Sequence, residues 1–352
     1  MRNTPRQWWP VLKLLFTAAI LFFVSRQVFR DLHEPSWVAR PALHPGWLAL
    51  AALLYLAGLG FSAFFWLRLL RMLGQQPGIL RSIRAYYIGH LGKYIPGKAW
   101  ALMYRATLAQ SPGVKAGVAG ATAFYEVLTT MASGALLAAI LLWFVGPETT
   151  TGLDWPLLWK VLTSQERPSE AVFDGHFLSL IALILFGVII LPISPLLFNR
   201  MVRRLSLPFL EPGKSPLQVP PAALLEGLAL TACGWLFLGT SLWAVFQSLS
   251  DVTEPLTWRV LSRDSAYLSL AYVLGFVILL APGGLGIRES FLFIFLSPDV
   301  ADLPGWEGRT AMLPVVVLRL VWTLAEAVIA TVLYWLSGNT AGPAQQPETN
   351  RP

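Results

Sequence analysis

The apolar positions of this chain fall into long runs separated by short polar connections. Uninterrupted runs cover 11–29, 46–70, 116–145, 177–198, 222–249 and 311–336. A bilayer core about 30 Å thick is crossed by roughly 20 apolar residues, so each of these runs predicts a transmembrane helix. Two further runs are interrupted: 83–95 and 98–108 flank Pro96-Gly97, and 265–280 and 287–296 flank Pro282-Gly283-Gly284. Apolar pieces of about 10–14 residues read as re-entrant rather than spanning, so each broken run predicts a helical hairpin that turns at the Pro-Gly break. The expected fold is an all-α polytopic membrane protein with about six full spans and two re-entrant hairpins, or eight spans if the hairpins cross. It forms one transmembrane domain over 1–337, followed by a disordered tail, 338–352, rich in Pro, Gln, Thr and Asn. Halves at about 10–145 and 177–337 each hold an odd number of crossings, which predicts an inverted repeat.

Composition separates membrane spans from buried core helices. With 55% of residues hydrophobic and 13% charged, a soluble domain of this size would lack the polar surface to cover itself. Run 11–29 is too long for a signal peptide, and Ser25-Arg26-Gln27 offers no small-residue cleavage pattern. Trp residues gather near the run ends, where amphipathic rings favour the headgroup level.

The net charge of +7 would suit nucleic acid only if the cations shared a polar face. They stand beside apolar runs instead, so nucleic acid is not an expected partner. In the six-span layout most of the 26 Lys and Arg lie on one side and most of the 19 Asp and Glu on the other. The positive-inside rule then puts both termini in the cytoplasm.

Smaller expectations follow from single residues. The stretch 154–159, Asp154-Trp155-Pro156-Leu157-Leu158-Trp159 within an acidic loop, reads as an interfacial helix, the polar stretch 251–264 as an outside loop, and Glu226 as a first-turn acid of structural role. Cys233 is expected to pack inside its span. His33, His44, His90 and His176 lack metal-ligand spacing, so no metal or other cofactor is expected.

Chemistry concentrates on ionisable residues in apolar surroundings. A charge at the centre of a spanning helix costs about 2.5–3.5 kcal/mol and is usually paired or faces a wet cavity. Glu126, Arg319 and Glu326 are such residues. Glu126 shares a helical face with Thr122, Thr129, Thr130 and Ser133, and Arg319, Thr323 and Glu326 form a second polar stripe. One reading is a structural ion pair of Glu126 with Arg319; the other is a polar cavity. Arg319 and Glu326 stand about 10 Å apart along a helix, so each needs a further partner. Lys93 and Arg105 either snorkel to the headgroups or line that cavity. Lys98 follows Pro96-Gly97 at a helix start, where free amides and the positive dipole end favour a phosphate. Arg288 is equally placed after the second break, with Glu289 beside it to neutralise it. Neither a P-loop nor a nucleophile or zinc-protease motif occurs in the sequence.

Two motifs together carry a family resemblance. Gly92-Lys93-Tyr94-Ile95-Pro96-Gly97-Lys98, with Arg105 and Glu126 downstream, and Pro282-Gly283-Gly284-Leu285-Gly286-Ile287-Arg288-Glu289 resemble the flippase-like family named after the transmembrane region of lysylphosphatidylglycerol synthase, over roughly 10–336. The resemblance implies a polytopic inner-membrane protein that moves an anionic lipid, a phospholipid or polyprenyl phosphate, between leaflets. It also admits a relative working beside lipid-linked glycosyl transfer. Full synthases carry an additional soluble aminoacyl-transferase domain; none follows in this sequence, so lipid aminoacylation is not expected. The expectation is therefore a lipid flippase or scramblase without enzymatic turnover, passive or ion-coupled. Lys98 and the Pro96-Gly97 helix end would hold the phosphate, Arg105, Glu126, Arg319 and Glu326 would line the path, and Pro282, Gly283, Gly284, Arg288 and Glu289 would serve the second break. Two alternatives stand beside it: a membrane glycosyltransferase-type enzyme, and a non-transporting subunit that partners a glycosyltransferase in a cell-envelope complex.

Overall fold

A computed structural model describes residues 43–94, 99–146, 156, 173–206, 218–249, 255–278, 286–301 and 312–336. The expected span 11–29, all but one residue of 154–159, both Pro-Gly breaks with Lys98, and the tail 338–352 lie outside these residues. In chain order the helices are α1 (Pro45–Met72), α2 (Ile79–His90), which runs into a 3₁₀ turn at Leu91–Tyr94, α3 (Ala99–Ala109), α4 (Ala116–Val145), α5 (Gly175–Ile193), α6 (Pro195–Ser206), α7 (Pro221–Leu249), α8 (Trp258–Val277), α9 (Ile287–Ala301) and α10 (Met312–Trp335). Five stretches, Pro45–Met72, Ala116–Val145, Gly175–Arg200, Pro221–Leu249 and Met312–Trp335, are long and apolar enough to cross a membrane. They coincide with five of the expected runs. The protein is an all-α polytopic membrane protein, and its outward face carries exposed apolar side chains such as Leu53, Ile140, Leu183 and Val328, a surface suited to lipid rather than water.

The centre of the fold is the antiparallel pair α1 and α7. His44 N donates to Ser248 O at 3.1 Å, and Ser241 Oγ donates to Ala51 O at 2.8 Å. Gly58 meets Gly234, and Phe65 covers Gly227. Positions 44, 51, 58 and 65 thus face 248, 241, 234 and 227, a heptad step on both strands of the seam, as in coiled coils.

The contact is also reciprocal. A Cβ on Gly58 would lie 3.0 Å from Gly234 O, and a Cβ on Gly234 would lie 2.9 Å from Gly58 O. Only a residue without a side chain lets the two backbones approach so closely. Each glycine stands equally far into its helix, and three residues beyond each, Phe61 and Phe237 meet with ring centroids 5.3 Å apart. Reciprocal pairs of this kind are what a two-fold axis through the Gly58–Gly234 crossing produces.

The hairpins follow from that pair. Helices α2 and α3 leave from the C-terminal end of α1, where Gln76 N donates to Gly113 O at 2.9 Å and Lys115 N to Gln75 Oε1 at 2.9 Å. Helices α8 and α9 leave from the C-terminal end of α7, and Arg263 ties them by reaching Asp299 at 3.9 Å. Because α1 and α7 are antiparallel, the hairpins enter the bundle from opposite ends. Their arms close on matching residues: a Cβ on Gly89 would fall 2.9 Å from Arg105 Cβ, and one on Gly275 3.1 Å from Arg288 Cβ.

Several boundaries differ from the sequence reading. The expected loop 251–264 is helical from Trp258, with the Thr257 hydroxyl capping Val260 N at 3.3 Å. Asp264 can enter the interior because Arg263 pairs with it at 3.0 Å. The following arm runs to Ala301, past the run 287–296 marked by the apolar pattern. The connection carrying Arg200 is helix α6, started by Pro195 at a position that tolerates a missing N–H. It is anchored by Phe198 on Tyr125, centroids 4.7 Å apart, and by Asn199, whose side chain bonds both Val219 N at 2.8 Å and Val219 O at 3.0 Å. Glu226 lies beyond the first turn of α7 and pairs with Arg68 at 2.7 Å. Cys233 is exposed rather than packed.

Candidate functional site

Two glutamates flank the Gly58 crossing on α1. Glu126, on α4, accepts from Arg105 Nη1 at 2.6 Å, from Tyr86 OH at 3.2 Å and from Thr130 Oγ1 at 3.2 Å. Thr130 in turn lies 3.4 Å from Ser62 of α1. The Arg105 guanidinium stacks on Tyr86, 4.1 Å from the ring centroid, with Trp66 at 5.4 Å. Both charges are almost wholly enclosed, with side-chain exposures of 3% and 2%. A buried pair is favoured when the geometry is close and the remaining lone pairs and protons are satisfied. The Glu126 side meets this with its three donors, while Arg105 Nε has no hydrogen-bond partner among the described residues and the guanidinium rests on Tyr86 instead. The expected polar stripe is real: Thr122 accepts from Trp66 Nε1 at 3.0 Å, and Ser133 donates to Leu228 O at 2.9 Å.

Glu326, on α10, is set against Tyr55 of α1, seven residues before Ser62. Its Oε1 accepts from the Tyr55 hydroxyl and from Lys93 Nζ. Lys93 also donates to His90 Nε2 at 3.1 Å, and His90 Nε2 stands 3.7 Å from the carboxylate. The pairing is between halves, since Lys93 belongs to the first hairpin and Glu326 to the last span. Aromatic rings brace it: Tyr55 stacks on Trp322 at 4.3 Å, Trp322 lies 5.7 Å from Tyr272, and Trp322 Nε1 donates to Ser241 Oγ at 2.9 Å. This group is less enclosed than the first. Lys93 and His90 side chains are each 21% exposed, while Glu326 is 2%.

A third group sits on the second hairpin. Arg288 stacks on Tyr272 at 4.2 Å, and its Nε lies 3.8 Å from Glu289 Oε1. Glu289 accepts from Gly286 N at 2.7 Å and faces Arg319 of α10 at 3.7 Å. The carboxylate thereby closes the first turn of its own helix, the reach-back half of a capping box. Gly286 has φ 81°, a conformation open to glycine. Of the two roles the sequence leaves to this break, an anion site at Arg288 or its neutralisation by Glu289, the geometry has Glu289 taking the Gly286 amide and standing beside Arg288.

The structure brings Arg105 together with Glu126, and Arg288, Glu289 and Arg319 with one another. Glu126 and Arg319 are not partners, since each has a nearer one from a hairpin. Arg105 does not snorkel either; it is buried against Tyr86. Pro96, Gly97, Lys98, Pro282, Gly283 and Gly284 lie outside the described residues.

The sequence leaves Lys93 between snorkelling and lining the cavity, and it does not single out His90, Tyr55, Tyr86, Tyr272 or Trp322 as site residues. The pattern Tyr86-x-x-Gly89-His90-x-x-Lys93 carries a signal in retrospect, because three- and four-residue steps put these side chains near one face of one arm. Among the described residues no group of three His, Cys, Asp or Glu side chains converges as a metal site would require.

No curated protein matches the chain significantly. The family model described as the lysylphosphatidylglycerol synthase TM region matches residues 11–325, a range that takes in both hairpins and ends one residue before Glu326. The chain therefore belongs to the family of the lysylphosphatidylglycerol synthase TM region.

Proposed function

We propose that this protein moves an anionic lipid, a phospholipid or a polyprenyl-phosphate carrier, between the leaflets of the cell membrane, with no enzymatic turnover of its own. The observation that carries the reading is the charge inventory at the middle of the bundle. Lys93, Arg105, Arg288 and Arg319 stand there against Glu126, Glu289 and Glu326, and Lys98 adds a further cation to the first hairpin in sequence. An excess of positive charge in apolar surroundings is costly unless an anion visits it. A phosphate headgroup crossing the hydrocarbon core meets the opposite cost, so each relieves the other. The two hairpins, entering from opposite ends, offer polar side chains from either leaflet toward the same depth.

The direct test is the pure protein in vesicles with a leaflet-resolved fluorescent phosphatidylglycerol. Wild type should move the lipid, and Arg319→Gln, which alters the loosely held pair at 3.7 Å, should fold normally and move it at least about tenfold more slowly. Wild-type vesicles no faster than empty ones would sink the proposal and favour a subunit that acts only with a partner.

Both termini are proposed to face the cytoplasm, on the distribution of Lys and Arg. In a Cys233→Ala background, a cysteine at Leu256 should react with an impermeant thiol reagent in intact cells, and one at Gln76 should be protected. The reverse pattern would invert the orientation.

A further inference from the structure

The two-fold frame sets up an arrangement that Glu326 does not adopt. In the first half, Arg105 lies on Tyr86 and takes the carboxylate of Glu126 from the next span, at 2.6 Å. In the second half, Arg288 lies in the same way on Tyr272, at 4.2 Å. The span after it supplies Glu326, yet that carboxylate turns to Lys93 of the other hairpin, with Tyr55 and His90 beside it. The cause is legible in the sequences of the arms. Tyr86-x-x-Gly89-His90-x-x-Lys93 has Tyr272-x-x-Gly275-Phe276-x-x-Leu279 as its counterpart, so the cation exists in one hairpin only.

Lys93 therefore sits outside the symmetric plan, in the more open of the two groups. An ammonium is a compact point charge that donates to a phosphate oxygen as readily as to a carboxylate oxygen. We propose that Lys93 is the receptor for the phosphate of an anionic lipid, and that Glu326 is the internal stand-in that the phosphate displaces, turning then to Arg288 as Glu126 turns to Arg105. This rests on the lipid-moving reading given above. An internal anion that occupies the receptor lowers apparent affinity by the fraction of time it spends there. Removing that anion should strengthen binding, the opposite of what losing a ligand-contacting residue does.

The test is a binding isotherm on the full chain in zwitterionic nanodiscs, with dihexanoyl phosphatidylglycerol as probe and dihexanoyl phosphatidylcholine and inorganic phosphate as comparisons. Glu326→Gln should bind the phosphatidylglycerol about tenfold tighter than wild type, and Lys93→Met about tenfold weaker. Lys93→Arg should fall between wild type and Lys93→Met, and the double variant should be as weak as Lys93→Met. Glu326→Gln that elutes and melts like wild type but binds no tighter overturns the stand-in. Wild-type binding by Lys93→Met overturns the receptor, and inorganic phosphate bound as tightly as the lipid overturns the lipid assignment. If Glu326→Gln fails to fold, Tyr55→Phe loosens the same carboxylate and should shift affinity in the same direction. Lipid movement is scored separately. A wild type that moves lipid while the isotherms stay flat overturns this inference alone; isotherms that shift as expected in a protein that moves nothing overturn translocation and support the site.

Discussion

Arg105 and Arg288 lie on Tyr86 and Tyr272 at nearly equal distances, 4.1 and 4.2 Å, each opposite a glycine three residues beyond its tyrosine. Yet Arg105 is locked to Glu126, whereas the carboxylate that corresponds in the second half faces Lys93 across the molecule. The backbone frame of the two hairpins is duplicated and the charges laid on it are not. Close glycine contacts and ring stacking fix how the arms pack. One lysine makes the difference: both carboxylates are 2% exposed, but Glu126 is held by an enclosed arginine and Glu326 by a lysine that is 21% exposed. A sealed pair is a poor candidate for a moving part, because separating it strands charge in a low dielectric; the open group carries less of that cost.

The largest effect should come from breaking the sealed pair. Arg105→Met leaves Glu126 enclosed without its partner, and melting in detergent should report a loss of about 3–5 kcal/mol. The double variant Arg105→Met/Glu126→Leu should recover most of it. A single variant as stable as wild type would erase the distinction between the two hairpins.

Next in size is the frame itself. Gly58→Ala and Gly234→Ala each push a Cβ against the other helix's carbonyl, at 3.0 and 2.9 Å. Overpacking of this kind costs about 1–3 kcal/mol, less the ~1 kcal/mol that Ala gains over Gly inside a helix. The loss at Gly58 should be at least as large as that at Gly234, since a Cβ there also meets the end of the Leu238 side chain; a Gly234→Ala variant as stable as wild type would break the reading of a close backbone crossing.

Lys93→Met should cost less than Arg105→Met, about 1–2 kcal/mol, between an exposed pair and a sealed one. Tyr55 and His90 remain on Glu326 after the change. A loss equal to that of Arg105→Met would make Lys93 a brace. Smallest of all is Arg68→Ala, at an exposed pair with Glu226; its melting temperature should stay within the scatter of wild type.

Much of this was legible beforehand for local reasons. Hydropathy marks spans, and the five apolar stretches fall where the runs predict. Pro-Gly breaks between short arms announce the hairpins, and Glu126 and Glu326 stand out as acids in apolar runs. The misses share a different cause. The stretch 251–264 looked like a loop because Arg259, Arg263 and Asp264 are polar, but Asp264 is tolerated inside once Arg263 pairs with it. Charge alone admits a pair of Glu126 with Arg319, while in the structure Glu126 pairs with Arg105, which a hairpin delivers to the same depth.

What the sequence determined by itself is the membrane class, the helices, the two breaks and the identity of the costly charges, because hydropathy and period are properties of neighbouring residues. Only the tertiary structure decided who pairs with whom. Lys93 and Glu326 are separated by 233 positions, and their meeting depends on the antiparallel crossing at Gly58 and Gly234, which carries the hairpins in from opposite ends. No local pattern encodes that meeting, since it is set by the packing of α1 on α7, and the chemistry at the centre is a consequence of it.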